Sequence, residues 1–246
     1  MDFSAKFDKI KENYSLLFKT PKIELSLEYN KIEGKDPFYE KVTLDFFELV
    51  NRRRKKMPLF RQMTRGVAVC YLEDGFDSYL KSIESSGRRN IKKANRLGYT
   101  FRKMTYNDYL DGIWEIRKST SIRQGKVPEN FINNKPKPNK DPIPKNNTHG
   151  YPYFGVFDNE NKLVAYAGCF LAGEVIELSH FYGHAEHQKN GIVPLLITSI
   201  ADYVITNHSG VKVFLYGGYV GASSTLRRFK KKFQFMPHQV KWILKQ

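Results

Sequence analysis

A polar loop that runs into an apolar segment is the stretch of this sequence best suited to bind an anion. The loop ends in Gln188-Lys189-Asn190-Gly191, and the apolar run that follows, beginning at Ile192, is predicted to form a helix. The first N–H groups of a helix have no partner inside it, and the helix dipole adds partial positive charge at the same end. Phosphate and carboxylate oxygens bind readily at such a position. We therefore predict that these five residues contact the phosphates of a ligand.

The predicted strand before this loop carries side chains that can move protons. Residues 174–182 include His180, Tyr182 and Glu177 among apolar neighbours. Histidine, glutamate and tyrosine all serve as general acids or bases in enzymes. Because strand side chains alternate, counting by two puts His180 and Tyr182 on one face of the strand and Glu177 on the other.

Three histidines, His180, His184 and His187, lie close together in this part of the sequence. Their short spacing is compatible with metal ligands. No cysteine or pair of acidic residues accompanies them, however, and a loop is expected to separate them. We therefore expect no metal here.

The elements that must position these residues are short strands separated by turns. A polar turn at residues 158–162 and Ala172-Gly173 separate three apolar runs, which is the spacing of consecutive antiparallel strands. The predicted strands are residues 66–72, 99–104, 153–157, 163–171, 174–182, 211–216 and 240–244. The predicted helices are residues 77–97, 106–119, 192–205 and 225–232, the last capped by Ser223 or Ser224.

The domain organisation follows from length and composition. With 246 residues and a 41% hydrophobic fraction, the chain can bury a full core. Residues 1–62 carry no chemical motif, so we interpret them as an extension packing on a core domain of residues 63–246. Cys70 and Cys169 lie inside apolar strands, which indicates free thiols. The chain start has no signal-peptide pattern, and the longest apolar run is too short to span a bilayer, so we expect a cytoplasmic protein without a transmembrane segment.

Two further regions are predicted to contact the substrate. Arg123 and Gln124 follow a predicted helix and can grip a carboxylate or phosphate, although an ordinary helix end explains the same residues. Tyr216 and Gly217 open a glycine-rich stretch that lets the backbone approach a ligand closely. Residues 133–149 contain four prolines and no periodicity, so this loop is predicted to be a lid or disordered.

The charge distribution bears on the partners of the protein. The formal net charge is +16, and the excess is concentrated in residues 52–56, 88–96 and 227–232. Such clusters are either solvated faces or binding surfaces for a polyanion, for example tRNA, DNA, a nucleotide sugar or an acidic lipid carrier.

Several segments together carry a family resemblance. They are Tyr79-Leu80-Lys81-Ser82, residues 88–98, residues 153–165, Gly191-Ile192-Val193-Pro194-Leu195-Leu196 and Phe229-Lys230-Lys231-Lys232-Phe233. Over roughly residues 66–246 the chain resembles the acyltransferase half of Fem-type aminoacyl transferases and their single-domain relatives in the GNAT superfamily. The resemblance implies an α/β fold, a mixed and mostly antiparallel sheet flanked by helices. It departs at Val193, where the family's phosphate loop has Gly or Ala, and at Gln234, which replaces a Gly.

The resemblance also implies a reaction, the transfer of an acyl or aminoacyl group to an amine. In this family the donor lies along the strand that precedes the phosphate loop. His180 and Tyr182 are therefore predicted to be the general base and proton relay, with Glu177 as the next candidate. Lys230 is implied to neutralise charge at the carbonyl or phosphates of the donor.

The donor is predicted from the size of the chain. Fem-type enzymes usually have two such domains, and this chain has room for one plus an extension, which favours an acyl-CoA, most simply acetyl-CoA. The acceptor would be a polar or anionic amine, either a small molecule or nucleotide-linked. One alternative is aminoacyl-tRNA-dependent transfer of the Fem type. Another is a GNAT-like enzyme or binding module that acts on tRNA or DNA.

Overall fold

The structure is a computed structural model that describes residues 14–54, 57–122, 127–141 and 147–245. Its strands are β1 (Lys22–Ser26), β2 (Arg53–Arg54), β3 (Met57–Arg61), β4 (Arg65–Tyr71), β5 (Thr100–Met104), β6 (His149–Gly150), β7 (Tyr153–Phe157), β8 (Leu163–Ala172), β9 (Val175–Gly183), β10 (Val213–Gly218) and β11 (Met236–Ile243). Its helices are α1 (Pro37–Asn51), α2 (Phe76–Ser82), α3 (Ser85–Arg96), α4 (Leu110–Lys118), α5 (Glu129–Asn133), α6 (Ile192–Asn207) and α7 (Ser224–Lys232).

One large sheet organises the molecule. Its strand order is β1-β11-β4-β10-β9-β8-β7-β5, with β6 paired to the end of β8 and β2-β3 forming a separate hairpin. The β1–β11 and β9–β10 pairs are parallel and the other pairs are antiparallel. The mixed, mostly antiparallel sheet flanked by helices that the sequence predicts is therefore confirmed.

Helices cover both faces of the sheet, and β8, which is apolar on both faces, lies between them. Every residue of β8 is buried. On one face, residues of α2, α3 and α6, among them Ile197 and Ile200, form the largest core cluster. On the other face, Phe46 of α1 packs with Phe170 and Trp242, while α4 contributes Ile113 to a third cluster. None of the helices that the structure describes is both long and apolar enough to cross a bilayer.

The N-terminal part of the chain joins the same sheet. β1 pairs in parallel with β11 at the sheet edge, so residues from the predicted extension extend the main sheet. α1 begins at Pro37, and the side chain of Asp36 accepts a hydrogen bond from the Phe38 N–H at 3.0 Å. The cap and Pro37 fix the start of the helix that contains residues 43–50, whose sequence fits a strand or a helix.

The predicted helix at residues 77–97 is two helices. The backbone is extended at Ile83 and Glu84, between α2 and α3. The N–H of Glu84 donates to the carbonyl of Lys232 at 3.2 Å, so this break joins α3 to the end of α7. The periodicity of the apolar residues continues across the break and therefore does not reveal it.

Candidate functional site

A β-bulge in β9 decides where its titratable side chains point. Along the β8–β9 pair, Cys169 lies opposite Leu178 and Gly168 lies opposite His180, which leaves Ser179 as an extra residue. One extra residue reverses the alternation of all side chains that follow it.

The bulge brings the three predicted catalytic residues to one face. Phe181 packs with Ile176 against the core on the α6 side, whereas Tyr182 packs in the cluster that contains residues of α4. His180 and Tyr182 therefore lie on the same face of the sheet as Glu177. The prediction from simple alternation, with Glu177 opposite the other two, was wrong because it assumed an unbroken strand.

Glu177 has the properties of a general base. Its Oε2 accepts a hydrogen bond from Ser179 Oγ at 2.8 Å. Burial raises the pKa of Glu177 from its ordinary 4.5 to about 7, although the Ser179 hydrogen bond and the positive charge of Lys230 act in the opposite direction. A carboxylate with a pKa near neutral can both accept and release a proton at physiological pH.

Ser179 connects Glu177 to a second group that can carry a proton. The phenol of Tyr151 hydrogen-bonds Ser179, and burial raises the pKa of this phenol well above its ordinary value. A hydroxyl has one hydrogen to donate. Because Ser179 gives that hydrogen to Glu177, the hydrogen bond to Tyr151 has the phenol as donor, and the three groups form a chain along which a proton can pass.

The ammonium group of Lys230 lies against the last residues of β10. Its side chain is buried, with 3% exposed, and Nζ donates to the carbonyls of Tyr216 at 2.6 Å and Gly218 at 2.7 Å. The residue between them, Gly217, has a φ of 53° and open space at its Cβ position. Burial lowers the pKa of Lys230 to about 8, against the opposing effect of Glu177. The predicted Lys230, Tyr216 and Gly217 are thus neighbours, and Lys230 lies close enough to Glu177 for each charge to affect the pKa of the other group.

His180 and Tyr182 lie further along β9. Partial desolvation of the imidazole lowers the pKa of His180 below its ordinary 6.5, and the positive charge of Arg117 lowers it further, so the ring is mainly neutral at pH 7. The ring of Tyr182 packs 5.5 Å from that of Tyr166 and 5.3 Å from that of Phe131, measured between centroids. His180 can therefore accept a proton, whereas the Tyr182 ring packs between other aromatic rings.

Arg117 is a candidate site residue that sequence reasoning missed. Its Nε donates to the hydroxyl of Tyr166 at 3.2 Å, and its Nη2 donates to that of Tyr106 at 3.5 Å. In the sequence it is simply a basic residue in the last turn of a helix, so no signal sets it apart. Arg123 and Gln124, predicted to grip an anionic substrate nearby, lie outside the described residues.

Residues 134–141, part of the proline-rich loop, contact β7 and the segment that precedes α4. The N–H of Asn139 donates to Asn107 Oδ1 at 2.9 Å, and Asn107 Nδ2 donates to the Asn139 carbonyl at 3.0 Å. The phenol of Tyr153 on β7 hydrogen-bonds both Asn139 and Asp141. Residues 134–141 are thus attached to the sheet.

The parallel strands β9 and β10 pair over only part of their length. Val175 to Glu177 pair with Val213 to Leu215, and beyond these residues the two strands no longer pair. Past that point, Phe181 and Tyr216 approach each other across the gap, with ring centroids 5.8 Å apart. An extended ligand can hydrogen-bond a strand edge that has lost its partner, as added peptide strands do.

The predicted anion loop is held in place by its own side chains. Gln188 Nε2 donates to the Gly183 carbonyl at 3.4 Å, and Asn190 Nδ2 donates to the Tyr99 hydroxyl at 2.9 Å. The carbonyl of Lys189 accepts a hydrogen bond at 2.9 Å from a lysine of α3. These contacts fix the backbone of the loop before α6.

Gly191 sets the start of α6 against α3. Its φ is 85°, and a Cβ at this position would lie 2.2 Å from the carbonyl oxygen of Asn90. The Gly191 N–H donates back into the loop, and Pro194 has none. Within the described residues, the N–H groups of Ile192 and Val193 are the ones left for an anion at this helix start.

Two basic clusters form one surface. α3 and the end of α7 are in contact, because the Lys232 side chain lies 3.4 Å from the Cβ position of Gly87 and Gln234 Nε2 donates to the Ser82 carbonyl. We call the basic side chains of these two helices the basic surface: Arg88, Arg89, Lys92, Lys93, Arg96, Arg227, Arg228, Lys231 and Lys232.

Comparison with known proteins settles the fold. No protein-family model and no curated protein sequence matches the chain. Among solved structures, FemX superposes with a TM-score of 0.55 and 11% sequence identity, over 88% of this chain and 78% of FemX. The chain has a GNAT fold. In this fold the bulge at Ser179 follows the last residue of β9 that pairs with β10, and Gly183 at the end of β9 packs against the start of α6.

Two further solved structures match part of the chain. The C-terminal domain of a putative lysylphosphatidylglycerol synthetase from Agrobacterium fabrum matches 70% of this chain and 57% of its own, at 15% identity and a TM-score of 0.45. L-PGS from Bacillus licheniformis matches 70% of this chain and 56% of its own, at 15% identity and a TM-score of 0.43. The chain thus spans a little over half the length of these two proteins.

Proposed function

We propose that this protein transfers an acyl group to an amine. The observation that carries the proposal is Glu177, a carboxylate with a pKa of about 7 beside the gap between β9 and β10. An amine reaches an enzyme mostly as an ammonium ion and must lose a proton before it can attack a carbonyl carbon. A base of this pKa, linked to Ser179, performs that step at neutral pH.

The proposed reaction has two bond changes. Glu177 takes one proton from the ammonium ion, and the free amine nitrogen attacks the carbonyl carbon of a thioester or ester. The bond to the leaving sulfur or oxygen then breaks, and the nitrogen releases its second proton to solvent. Two of the three N–H groups of Lys230 are used by backbone carbonyls, which leaves one for the developing oxyanion. The leaving group takes up a proton through the Tyr151–Ser179–Glu177 chain. His180 is the alternative base on the same face.

We propose acyl-CoA, and acetyl-CoA first, as the donor. Its extended pantetheine arm carries amides that can hydrogen-bond the unpaired edge of β9. Its phosphates would meet the N–H groups of Ile192 and Val193, beside the polar side chains of Gln188, Lys189 and Asn190. The positive charge of Arg117, which also acts on His180, would attract a polar or anionic amine acceptor. Both cysteines are free and buried, which supports a cytoplasmic location.

Calorimetry with acetyl-CoA tests the donor. We expect micromolar binding, about 8 kcal/mol, that weakens little between 50 and about 300 mM salt, since CoA carries few charges. Absence of heat with acetyl-CoA and with longer acyl-CoAs would reject the acyl-CoA donor and leave the fold unchanged.

A second donor, aminoacyl-tRNA, is favoured by a separate observation. The basic surface joins two clusters that are more than a hundred residues apart in the sequence, and a polyanion could contact both helices at once. The same surface supports a third candidate, a GNAT-like enzyme or binding module that acts on tRNA or DNA. Strong dependence of nucleic-acid binding on salt, with no affinity for acyl-CoA, would favour these candidates over the first.

A further inference from the structure

Three side chains with metal-binding groups meet in the turn between β9 and α6. His184, Glu186 and His187 each place one donor atom within 4.8 Å of those of the other two. The rings of the two histidines are 5.3 Å apart between centroids. His180 belongs to a different place, because it projects from the sheet face that carries Glu177. The structure therefore replaces the His180-His184-His187 set considered from sequence spacing with one that contains a carboxylate.

The backbone that carries these side chains is fixed on two sides. The N–H of His184 donates to the Val164 carbonyl at 2.8 Å, and the N–H of Ala185 donates to Ser119 Oγ at 3.0 Å. The N–H of His187 then donates to the His184 carbonyl at 3.1 Å, which closes the turn. A site whose ligands are already held in place loses little conformational entropy when it binds a metal ion.

His187 also has the support that metal-binding histidines usually have. Its Nδ1 is 2.7 Å from the hydroxyl of Tyr99, and Asn190 Nδ2 donates to the same hydroxyl at 2.9 Å. A ligating histidine almost always hydrogen-bonds through its other ring nitrogen, which orients the ring. Nδ1 is engaged in this way, which leaves Nε2 of His187 as the nitrogen that can bind a metal ion.

We propose that His184, Glu186 and His187 form a binding site for a divalent transition-metal ion of the zinc type. Imidazole nitrogens select such ions over magnesium and calcium, which prefer oxygen ligands only. Two histidines and one carboxylate leave a fourth tetrahedral position open. That position lies next to the predicted anion loop and can take an oxygen of an anionic ligand or water. The inference does not depend on the identity of the acyl donor.

Titration of the chelator-treated protein with Zn²⁺ alone tests the proposal. Calorimetry should show saturable binding at one site. Glu186→Gln and His187→Ala should each abolish it, and Tyr99→Phe should weaken it by about 10-fold to 100-fold because it removes the hydrogen bond that orients His187. Matched controls are Glu160→Gln in the β7–β8 turn and His208→Ala at the end of α6, which should bind Zn²⁺ like the unaltered protein.

The outcomes are distinct from those of the acyl-transfer experiments. Glu186 is exposed, so Glu186→Gln should fold normally, and circular dichroism checks this for every variant. If the unaltered protein shows no saturable Zn²⁺ binding, the proposal is wrong. It is also wrong if both Glu186→Gln and His187→Ala bind as tightly as the controls do.

Discussion

Glu177 ties stability to pH through its raised pKa. Its pKa is about 7 in the folded protein against an ordinary 4.5, so between these values the unfolded chain has lost a proton that the folded protein keeps. The ionisation of Glu177 therefore lowers the free energy of unfolding progressively as pH rises from about 4.5 to about 7, and by a constant amount at higher pH. A group that prefers its neutral form in the folded state is destabilising at high pH.

Glu177→Gln should remove this loss. We expect the variant to unfold like the unaltered protein at pH 4 and to be more stable by about 1–3 kcal/mol at pH 8, since one pKa unit corresponds to about 1.4 kcal/mol. Urea unfolding of both proteins at the two pH values measures the difference. An equal effect of the substitution at pH 4 and pH 8 would show that Glu177 ionises normally.

At the scale of residues, the sequence identifies the chemical groups better than their geometry. His180, Tyr182 and Glu177 stand out because they are polar residues in an apolar strand. Their common face does not follow from the sequence, because the bulge at Ser179 arises from pairing with β8. Nothing in the sequence marks Arg117, because only its contacts with tyrosines in the folded protein identify it.

At the scale of elements, the close contact between α3 and the start of α6 depends on Gly191. Gly191→Ala should lower the free energy of unfolding by roughly 2 kcal/mol or more, because of its positive φ and because a Cβ would overlap the Asn90 backbone. Gly210→Ala is the matched control, with nothing within 4 Å of its Cβ position, and should change stability by less than about 0.5 kcal/mol. Denaturant unfolding measures both, and equal stability of the two variants would contradict the packing described here.

Element prediction succeeds where local chemistry specifies a turn. The turns at residues 158–162 and 172–173 contain the Asn and Gly residues that hairpins need, and β7, β8 and β9 follow as predicted. The break between α2 and α3 was missed because a hydrogen bond to Lys232, far away in the sequence, stabilises it.

At the scale of the whole molecule, the basic surface predicts how nucleic acid would bind. If tRNA is held there, the double variant Arg89→Glu with Arg228→Glu should reduce the slope of log affinity against log salt by about 0.7 for each lost phosphate contact to a single strand. Lys41→Glu, on α1 at the other face of the sheet, is the control. Filter binding over a salt series measures the slopes, and equal slopes for variant and control would place any tRNA elsewhere.

The fold class could be predicted from the sequence because the order of its elements matches a known family pattern. The place of β1 could not, since its partner β11 lies more than two hundred residues away and nothing local marks the pairing. The same limit applies to the basic surface, which forms only when α3 and α7 pack together.

Turnover of Glu177→Gln is the most direct test of proposed amine acylation. Acetyl-CoA, longer acyl-CoAs and total aminoacyl-tRNA are each incubated with a set of polar amines, and N-acylated products are detected by mass spectrometry. The unaltered protein should form product from one donor class, and Glu177→Gln should reduce turnover by about 100-fold to 10,000-fold with unchanged donor affinity, whereas Glu160→Gln should not. Equal turnover by Glu177→Gln and the unaltered protein would contradict the account.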